Sequence, residues 1–324
     1  MRSYLKQGFG LGSFAFASFL WGSSTKTSTK QVPETTNDQN VGLTGEGGGA
    51  NRPSHPESFF KFGFPGPLHD LERRDEFVSC YDRRARIPYW VLEEITKESL
   101  KAGDNVNRKY AVFKEDERIP INFRARLRDY FRSGYDRGHH APAADAKFSQ
   151  QALNDTFYLT NISPQVGDQF NRDYWAHFEE FARTLTQKYD SVKVLTGGLF
   201  LPRQSPTNPN KYVVEYEVIG SPPSIAVPTH FYKLIVGEKM NTKDISVAAF
   251  VLPNAPIKNE TPLKLFQVPL DDLEKASGLE LLYRVPPSNK KDLCRDVRCE
   301  IVVREFKNAQ SNALPPPSNS GLLK

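Results

Sequence analysis

The sequence contains few cysteines, and their number argues against a fold held together by disulfides. Cys80, Cys294 and Cys299 are the only cysteines in 324 residues. Three is a small and uneven number, which argues against a disulfide framework. Cys294 and Cys299 could form half of a zinc site, but no second Cys or His pair lies nearby to complete four ligands. We therefore expect ordinary thiols, buried or at the surface, and no support for an oxidising compartment.

Aspartate and glutamate are absent from the first 33 residues. The charged side chains of this leader are Arg2, Lys6, Lys26 and Lys30. A basic, acid-free, serine-rich leader is typical of a mitochondrial targeting segment. Its apolar run, residues 8–22, falls short of the about 20 apolar residues that a membrane-spanning helix needs. We predict a mitochondrial leader, with a secretory signal as the alternative and a retained membrane anchor left open.

Low-complexity sequence at both ends leaves one central domain. Residues 23–56 are rich in Ser, Thr, Gly, Asn and Pro, and the chain is again polar and proline-rich from residue 309 onward. No linker-like stretch interrupts the sequence between them. We predict a targeting segment, possible anchor and flexible linker over 1–56, a single domain over 57–308, and a flexible tail over 309–324.

The charge balance is mildly basic. The formal net charge is +5 and the sequence pI is about 8.9. This balance permits a polyanionic partner such as nucleic acid but does not require one.

Hydrophobic patterning predicts an α+β fold with a mixed or antiparallel sheet. Runs rich in β-branched and aromatic residues predict strands over 192–200, 211–219, 224–236 and 245–253. Apolar residues at three- and four-residue steps predict a helix over 172–188, and acidic residues followed by Gly278 predict a second over 268–278. In the run 211–219, alternation places Tyr212, Val214, Tyr216 and Val218 on one face.

Two of the six histidines are adjacent in YDRGHHAP, residues 135–142. If this stretch is extended, neighbouring side chains point to opposite faces. Arg137 and His139 then share one face, and His140 lies on the other as a packing or hydrogen-bonding residue. The following run, 156–165, predicts a strand that enters a loop at Asn161.

Asn171 and Glu179 are candidate oxygen ligands on one broad side of the predicted helix. At 1.5 Å per residue they lie about 12 Å apart along its axis. Both can therefore reach one metal only through bridging waters, or with Asn171 in the bend before the helix. Magnesium, which keeps several waters, suits that arrangement. Asn171 is equally well placed as a helix N-cap, and Glu179 as a solvated helix residue.

An ordered set of motifs covers nearly the whole central domain. DRGH (136–139), FYLTNISPQ (157–165) and FNRDYWAHFE (170–179) follow one another, and further blocks are FFKFGFPGP (59–67), YWVLEEIT (89–96), VPTHFYKLIV (227–236) and LEKASGLELL (273–282). This set closely resembles the endonuclease G family of sugar-nonspecific DNA/RNA nucleases, which have a ββα-metal active site. The acid-free leader makes the chain similar to the fungal mitochondrial members.

The resemblance implies a role for each candidate residue. His139 would be the general base, Asn171 the direct Mg²⁺ ligand, and Glu179 a support for the water shell of the metal. Arg137 and Asn161 would help to hold phosphate and the geometry of the site. For Arg137 a structural salt bridge with Asp136 stays open, and Asn161 could merely shape a turn.

The resemblance also implies cofactors, partners and location. The cofactor would be Mg²⁺, with Mn²⁺ also supporting activity, and the products would carry 5′-phosphate ends. The substrates would be DNA and RNA, double- and single-stranded. The chain would act as a homodimer at the mitochondrial inner membrane or in the intermembrane space. Basic residues near the motifs would follow the substrate backbone: Arg126, Arg128, Arg132, Lys147 and Arg172.

Two rival functions stay open at this stage. The chain could be a basic mitochondrial nucleic-acid binder with a vestigial site, although a binder needs none of His139, Asn171 and Glu179. It could also keep the chemistry and act on another phosphodiester.

Overall fold

The secondary structure is given by a computed structural model that describes residues 56–63 and 70–303. Within these residues the strands are β1 (Asp70–Arg73), β2 (Phe77–Asp82), β3 (Ile87–Ile95), β4 (Asp136–His139), β5 (Ile162–Gln165), β6 (Ser191–Leu199), β7 (Arg203–Gln204), β8 (Tyr212–Val213), β9 (Val218–Ile219), β10 (Ile225–Ala226), β11 (His230–Glu238), β12 (Ile245–Pro253), β13 (Gln267–Val268) and β14 (Lys290–Asp292). The helices are α1 (Pro56–Phe59), α2 (Gln150–Asp155), α3 (Tyr174–Thr184), α4 (Leu270–Ser277) and α5 (Leu293–Asp296).

The central sheet has eight strands in the order β1-β2-β3-β6-β11-β12-β13, with β14 beside β12. All of these pairs are antiparallel except that of β12 with β14. Strand β11 lies at the middle, and its whole length pairs with β6 on one side and β12 on the other. The predicted α+β class with a mostly antiparallel sheet is therefore confirmed.

Helices cover both faces of this sheet. On one face, Trp175 and Phe178 of α3 pack in a buried cluster with Phe231 and Phe250. On the other face, Leu273 of α4 belongs to a second cluster that includes Trp90, Tyr232 and Leu234. Successive residues of β11 therefore alternate between the two cores, as a strand with both faces buried requires.

The long periodic segments are close to where the sequence predicts them. Strand β12 spans the predicted run 245–253, and β6 spans all but one residue of 192–200. The helix predicted over 172–188 begins later, at Tyr174, and continues as a 3₁₀ turn to Gln187. Helix α4 ends at Ser277, and Gly278 after it is the C-cap, with a φ of +71° in the left-handed region that glycine favours.

Three strand predictions were wrong. The run 211–219 is not one strand: it forms β8 and β9 near its ends, and its four alternating Tyr and Val side chains are exposed. The run 224–236 is interrupted between β10 and β11, where Pro228 has no backbone N–H for a ladder. In the run 156–165 a 3₁₀ turn, Leu159–Asn161, comes first and β5 follows it.

The expectation for two of the cysteines was also wrong. Cys294 in α5 forms a disulfide with Cys299, their Cα atoms 5.3 Å apart. One short helical turn brings the pair into bonding range, and the spacing alone does not reveal this. Cys80 is a buried thiol, as expected.

The predicted leader and linker, apart from Pro56, and the predicted tail lie outside the described residues. The apolar run 8–22 is among them. In the part of the chain that the structure describes, no helix is long and apolar enough to cross a membrane.

Candidate active site

A two-stranded ribbon followed by a helix forms the frame of the site. Strand β4, which is the DRGH motif, pairs antiparallel with β5, and the chain then passes through the turn Gly167–Asn171 into α3. Gly138 lies under the Gln165 side chain, where a Cβ would be 2.0 Å from Oε1 of Gln165. The strand therefore needs glycine between Arg137 and His139.

His139, the candidate general base, is packed against two aromatic rings. Its ring lies edge-on to Phe157, with centroids 4.9 Å apart, and 5.4 Å from Phe113. Among the described residues its Nε2 is buried and has no hydrogen-bond partner. Burial, with the positive charge of Arg108, lowers the pKa of His139 to about 3. The imidazole is therefore neutral at neutral pH and has a nitrogen that can accept a proton.

His140 points to the opposite side, as the alternation predicts, and is fully buried. Its Nε2 lies 2.7 Å from Oγ of Ser163, and its Nδ1 lies 3.3 Å from the carbonyl oxygen of Thr196. Because a carbonyl only accepts, Nδ1 carries the hydrogen and the Ser163 hydroxyl donates to Nε2. His140 is thus a hydrogen-bonded core residue.

Arg137 is half-buried on the same strand as His139. Its guanidinium carbon lies 4.1 Å from the centroid of the Phe113 ring. Burial lowers its pKa, while Tyr130 and Asp136 oppose the shift. The cation therefore lies over the Phe113 ring beside the base, a contact that arginine favours.

Asn171 lies in the turn before α3, so its interpretation as the helix N-cap was wrong: Asp173 has that position. The backbone N–H of Asn171 donates to the Val166 carbonyl, 2.9 Å away. Its side-chain Nδ2 donates to Oδ2 of Asp136, 3.0 Å away, and the same carboxylate oxygen lies 3.1 Å from Nε of Arg172. This network holds the carboxamide in place and leaves Oδ1 as its oxygen donor.

The donor set fits a hydrated hard cation. Residues 56–63 and 70–303 contain no group of three or more His, Cys, Asp or Glu side chains that could hold a metal ion. A closed zinc site of four protein ligands is therefore not supported there. A neutral Asn171 oxygen before α3, with Glu179 two turns further along the chain, suits Mg²⁺, which takes few protein ligands and keeps its waters.

Glu179 is half-buried among charges, so the simple solvated-helix alternative was wrong. Burial raises its pKa to about 7, against the opposing positive charges of Lys233 and Arg183. Lys233 is itself buried: its Nζ donates to Oγ1 of Thr196 (2.9 Å) and to the carbonyl of His140 (3.4 Å). Glu179 thus interacts electrostatically with the cations of Lys233 and Arg183.

Asn161 holds backbone and does not reach the site surface. Its Oδ1 accepts from the Ala141 N–H, and its Nδ2 donates to the carbonyls of Ala141 and Thr156, all within 2.9 Å. The side chain is fully buried, and both of its amide hydrogens are used. These bonds fix the loop after His139, in line with the expected part of Asn161 in the geometry of the site, and its part in holding phosphate stays a prediction.

Arg108 is a residue that sequence reasoning missed. It begins a 3₁₀ turn, Arg108–Tyr110, and its guanidinium carbon lies 5.4 Å from the Phe157 centroid. Its charge lowers the pKa of both His139 and Glu179, which places it in the field of both. No local motif marks Arg108, because only the tertiary fold brings this turn beside the DRGH strand.

The predicted basic residues differ in exposure. Arg128, Arg132, Lys147 and Arg172 are exposed, and Arg126 is half-buried. Arg172 pairs with Asp136, which also binds Asn171, so this side chain supports the candidate metal ligand through one shared carboxylate.

Comparisons with known proteins agree with this geometry. The family model described as DNA/RNA non-specific endonuclease matches residues 55–288. The chain is 64% identical over 272 residues to a mitochondrial nuclease of Saccharomyces cerevisiae, covering 81% of this chain and 82% of that protein. It is 43% identical over 219 residues to human mitochondrial endonuclease G, covering 68% and 71%. A solved EndoG/EndoGI complex matches with a TM-score of 0.70 and 42% identity, over 75% of this chain and 99% of that one.

Proposed function

The chain belongs to the DNA/RNA non-specific endonuclease family, as a fungal mitochondrial nuclease of the endonuclease G type, and from this premise we propose how its site acts. It is a mitochondrial protein and a nuclease. We propose that it is a Mg²⁺-dependent endonuclease that hydrolyses phosphodiester bonds of DNA and RNA and leaves 5′-phosphate ends. The observation that carries the proposal is the imidazole of His139, packed against Phe113 and Phe157, with the cations of Arg137 and Arg108 on those same two rings.

His139 takes the proton of the attacking water on a nitrogen of its neutral imidazole. Its lowered pKa keeps the imidazole neutral at neutral pH, although the same shift makes it a weaker proton acceptor. The Phe113 and Phe157 rings fix its plane. A well-placed general base contributes about 10²- to 10⁴-fold to the rate.

Arg137 and Arg108 bind the phosphate that is attacked. Each guanidinium lies over an aromatic ring, Phe113 for Arg137 and Phe157 for Arg108. Both are therefore ordered before the substrate arrives and can donate to phosphate oxygens as planar forks.

Asn171 would hold the Mg²⁺, with Glu179 accepting hydrogen bonds from its water shell. When bound, the ion supplies positive charge at the phosphoryl group and at the leaving 3′ oxygen. Asn171 is neutral, so it does not cancel that charge, and Asp136 with Arg172 keeps its oxygen in place. Mn²⁺ prefers similar oxygen ligands and should also support activity.

The substrate is held mainly through its phosphates. The exposed basic side chains near the site suit backbone contacts, which are insensitive to sequence. The sequence has no base-reading motif of the usual classes. We therefore propose that single- and double-stranded DNA and RNA all bind, with an affinity that falls as salt rises.

Metal-dependent cleavage of a supercoiled plasmid tests the function. We expect nicking with Mg²⁺, none with chelator, and a rate at least about 10²-fold lower for His139→Ala and for Asn171→Ala. The matched control is His230→Ala, which removes a histidine outside the site. Full activity of folded His139→Ala would contradict the mechanism. Tight plasmid binding without any cleavage would favour the rival nucleic-acid binder.

The assembly and boundaries are proposals of the same kind. We propose a homodimer at the inner membrane or in the intermembrane space, with 57–308 as the catalytic domain between a leader over 1–56 and a tail over 309–324. Light scattering of the purified protein should give twice the mass of one chain. A protein limited to residues 57–308 should keep the plasmid-nicking rate of the longer chain.

A further inference from the structure

Tyr110 is an exposed aromatic residue two positions after Arg108, and the proposed chemistry does not use it. It ends the 3₁₀ turn that begins at Arg108, and 71% of its surface is exposed. Arg108 lies over Phe157, and the Phe157 ring is in edge-on contact with His139. The turn that carries Tyr110 is therefore linked to His139 through Arg108 and the Phe157 ring.

The backbone that carries Tyr110 is anchored on both sides. Asn107 caps the turn, its Oδ1 accepting from the Lys109 N–H at 2.9 Å, and its own N–H donates to Oε1 of Gln150 at 2.8 Å. Val106 and Ala111 pack against a small core cluster under the turn. The buried members of that cluster are Ala143, Leu153 and Phe157. The backbone that carries the ring is therefore already ordered, so a ligand that binds the ring has to fix only its side-chain rotation.

Two cations adjoin this ring. Arg108 and Lys109 precede Tyr110 directly, and neither forms a salt bridge with a carboxylate of the described residues. Surfaces that bind single-stranded nucleic acid combine cations for the phosphates with an aromatic side chain on which a base stacks. The bases of a duplex are already stacked within the helix, so only an unpaired base can lie flat on the ring.

We propose that Tyr110 is a stacking position for an unpaired nucleobase of single-stranded DNA or RNA, with an adjoining phosphate bound by Arg108. The inference rests on the proposed nuclease function and adds a substrate preference to it. Every base has a π-face, so this position accepts any sequence and agrees with non-specific cleavage. It gives single strands a contact that duplexes lack.

Equilibrium binding to a full-length His139→Ala chain, which should bind without cutting, tests the proposal. The probes are a short fluorescent single strand and the duplex of the same sequence, measured by anisotropy with Mg²⁺. Tyr110→Ala should weaken single-strand binding about tenfold or more, equivalent to about 1.4 kcal/mol, and leave duplex binding within about threefold. Tyr110→Phe keeps the ring and should restore binding. The matched control is Tyr283→Ala, a 52% exposed tyrosine next to Arg284.

Three outcomes would overturn the proposal: unchanged single-strand binding, equal weakening for single strand and duplex, or a lower molecular mass in light scattering with nucleic-acid binding unaltered. The last would identify Tyr110 as part of an interface between chains. Plasmid nicking by the unsubstituted chain keeps the two proposals apart. If that chain cuts and Tyr110→Ala binds normally, only the stacking position fails; if it never cuts, the proposed function fails.

Discussion

Alanine substitution of the two adjacent histidines should affect different properties: the cleavage rate for His139 and the free energy of unfolding for His140. His139→Ala removes the proton acceptor, and we expect the cleavage rate to fall about 10²- to 10⁴-fold. Its ring is half-buried and its Nε2 makes no hydrogen bond with a described residue, so the free energy of unfolding should change little. His140→Ala should lower the free energy of unfolding and largely keep the cleavage rate, since the His140 ring is fully buried and hydrogen-bonded at both nitrogens.

The loss of stability in His140→Ala can be estimated from its contacts. The change leaves the buried Ser163 hydroxyl and the Thr196 carbonyl without the imidazole, at about 1–3 kcal/mol for each unpaired group. The cavity beside Phe231 adds to this. A total of about 3–5 kcal/mol would lower Tm by roughly 6–20 °C in a domain of this size.

Thermal unfolding followed by circular dichroism measures the stability, and initial nicking rates at a temperature where every variant is folded measure the activity. His230→Ala is the control, since it is half-buried and outside the site. We expect the rate per folded molecule of His140→Ala to stay within about tenfold of the unsubstituted chain, well short of the general-base contribution. A loss of 10²-fold or more in fully folded His140→Ala would refute the reasoning, as would a stable His139→Ala that retains its rate.

Three further predictions concern other parts of the molecule. Burial and the charge of Glu93 raise the pKa of Glu76 well above 4.5. The protonated carboxyl therefore leaves stability at its full value below pH 4.5, and that stability is lost as the pH rises through the folded-state pKa. Glu76→Gln should equal the unsubstituted chain in free energy of unfolding at pH 4 and exceed it at pH 7, by about 1.4 kcal/mol for each unit of pKa shift. Arg108→Ala should raise the pKa of His139 in an NMR titration and reduce cleavage about 10- to 100-fold, since a charged hydrogen bond to phosphate is lost; an unmoved pKa would place Arg108 away from the base. Cys299→Ser opens a short disulfide loop to Cys294 and should cost about 2 kcal/mol in denaturant unfolding without changing the nicking rate.

Much of the site follows from local sequence periodicity. The period of two in a strand separates Arg137 and His139 from His140, and the structure confirms that separation because DRGH is indeed extended. The buried runs that become β6 and β12 are long enough to be recognised by composition alone. In these segments the residue pattern and the final environment agree, so a local rule is sufficient.

Other features depend on neighbours that are distant in the chain. The alternating run 211–219 has the pattern of a half-buried strand, yet no sheet covers its Tyr and Val face. Asparagine is a residue type common in turns and among ligands, and only the buried hydrogen-bond partners of Asn161 show that it holds a loop in place. The nearness of Arg108 to His139 and the pKa values of His139 and Glu179 likewise arise from burial and charges supplied by remote segments.

The sequence by itself therefore determined the α+β class and the family, since each follows from residue order and residue pattern, and the resemblance to that family is the source of the roles proposed for His139 and Asn171. Only the tertiary structure decided which polar groups are satisfied, which charges meet and how strongly each site group holds its proton. Those properties depend on desolvation and on Coulomb interactions between segments far apart in the chain, and no local pattern encodes them.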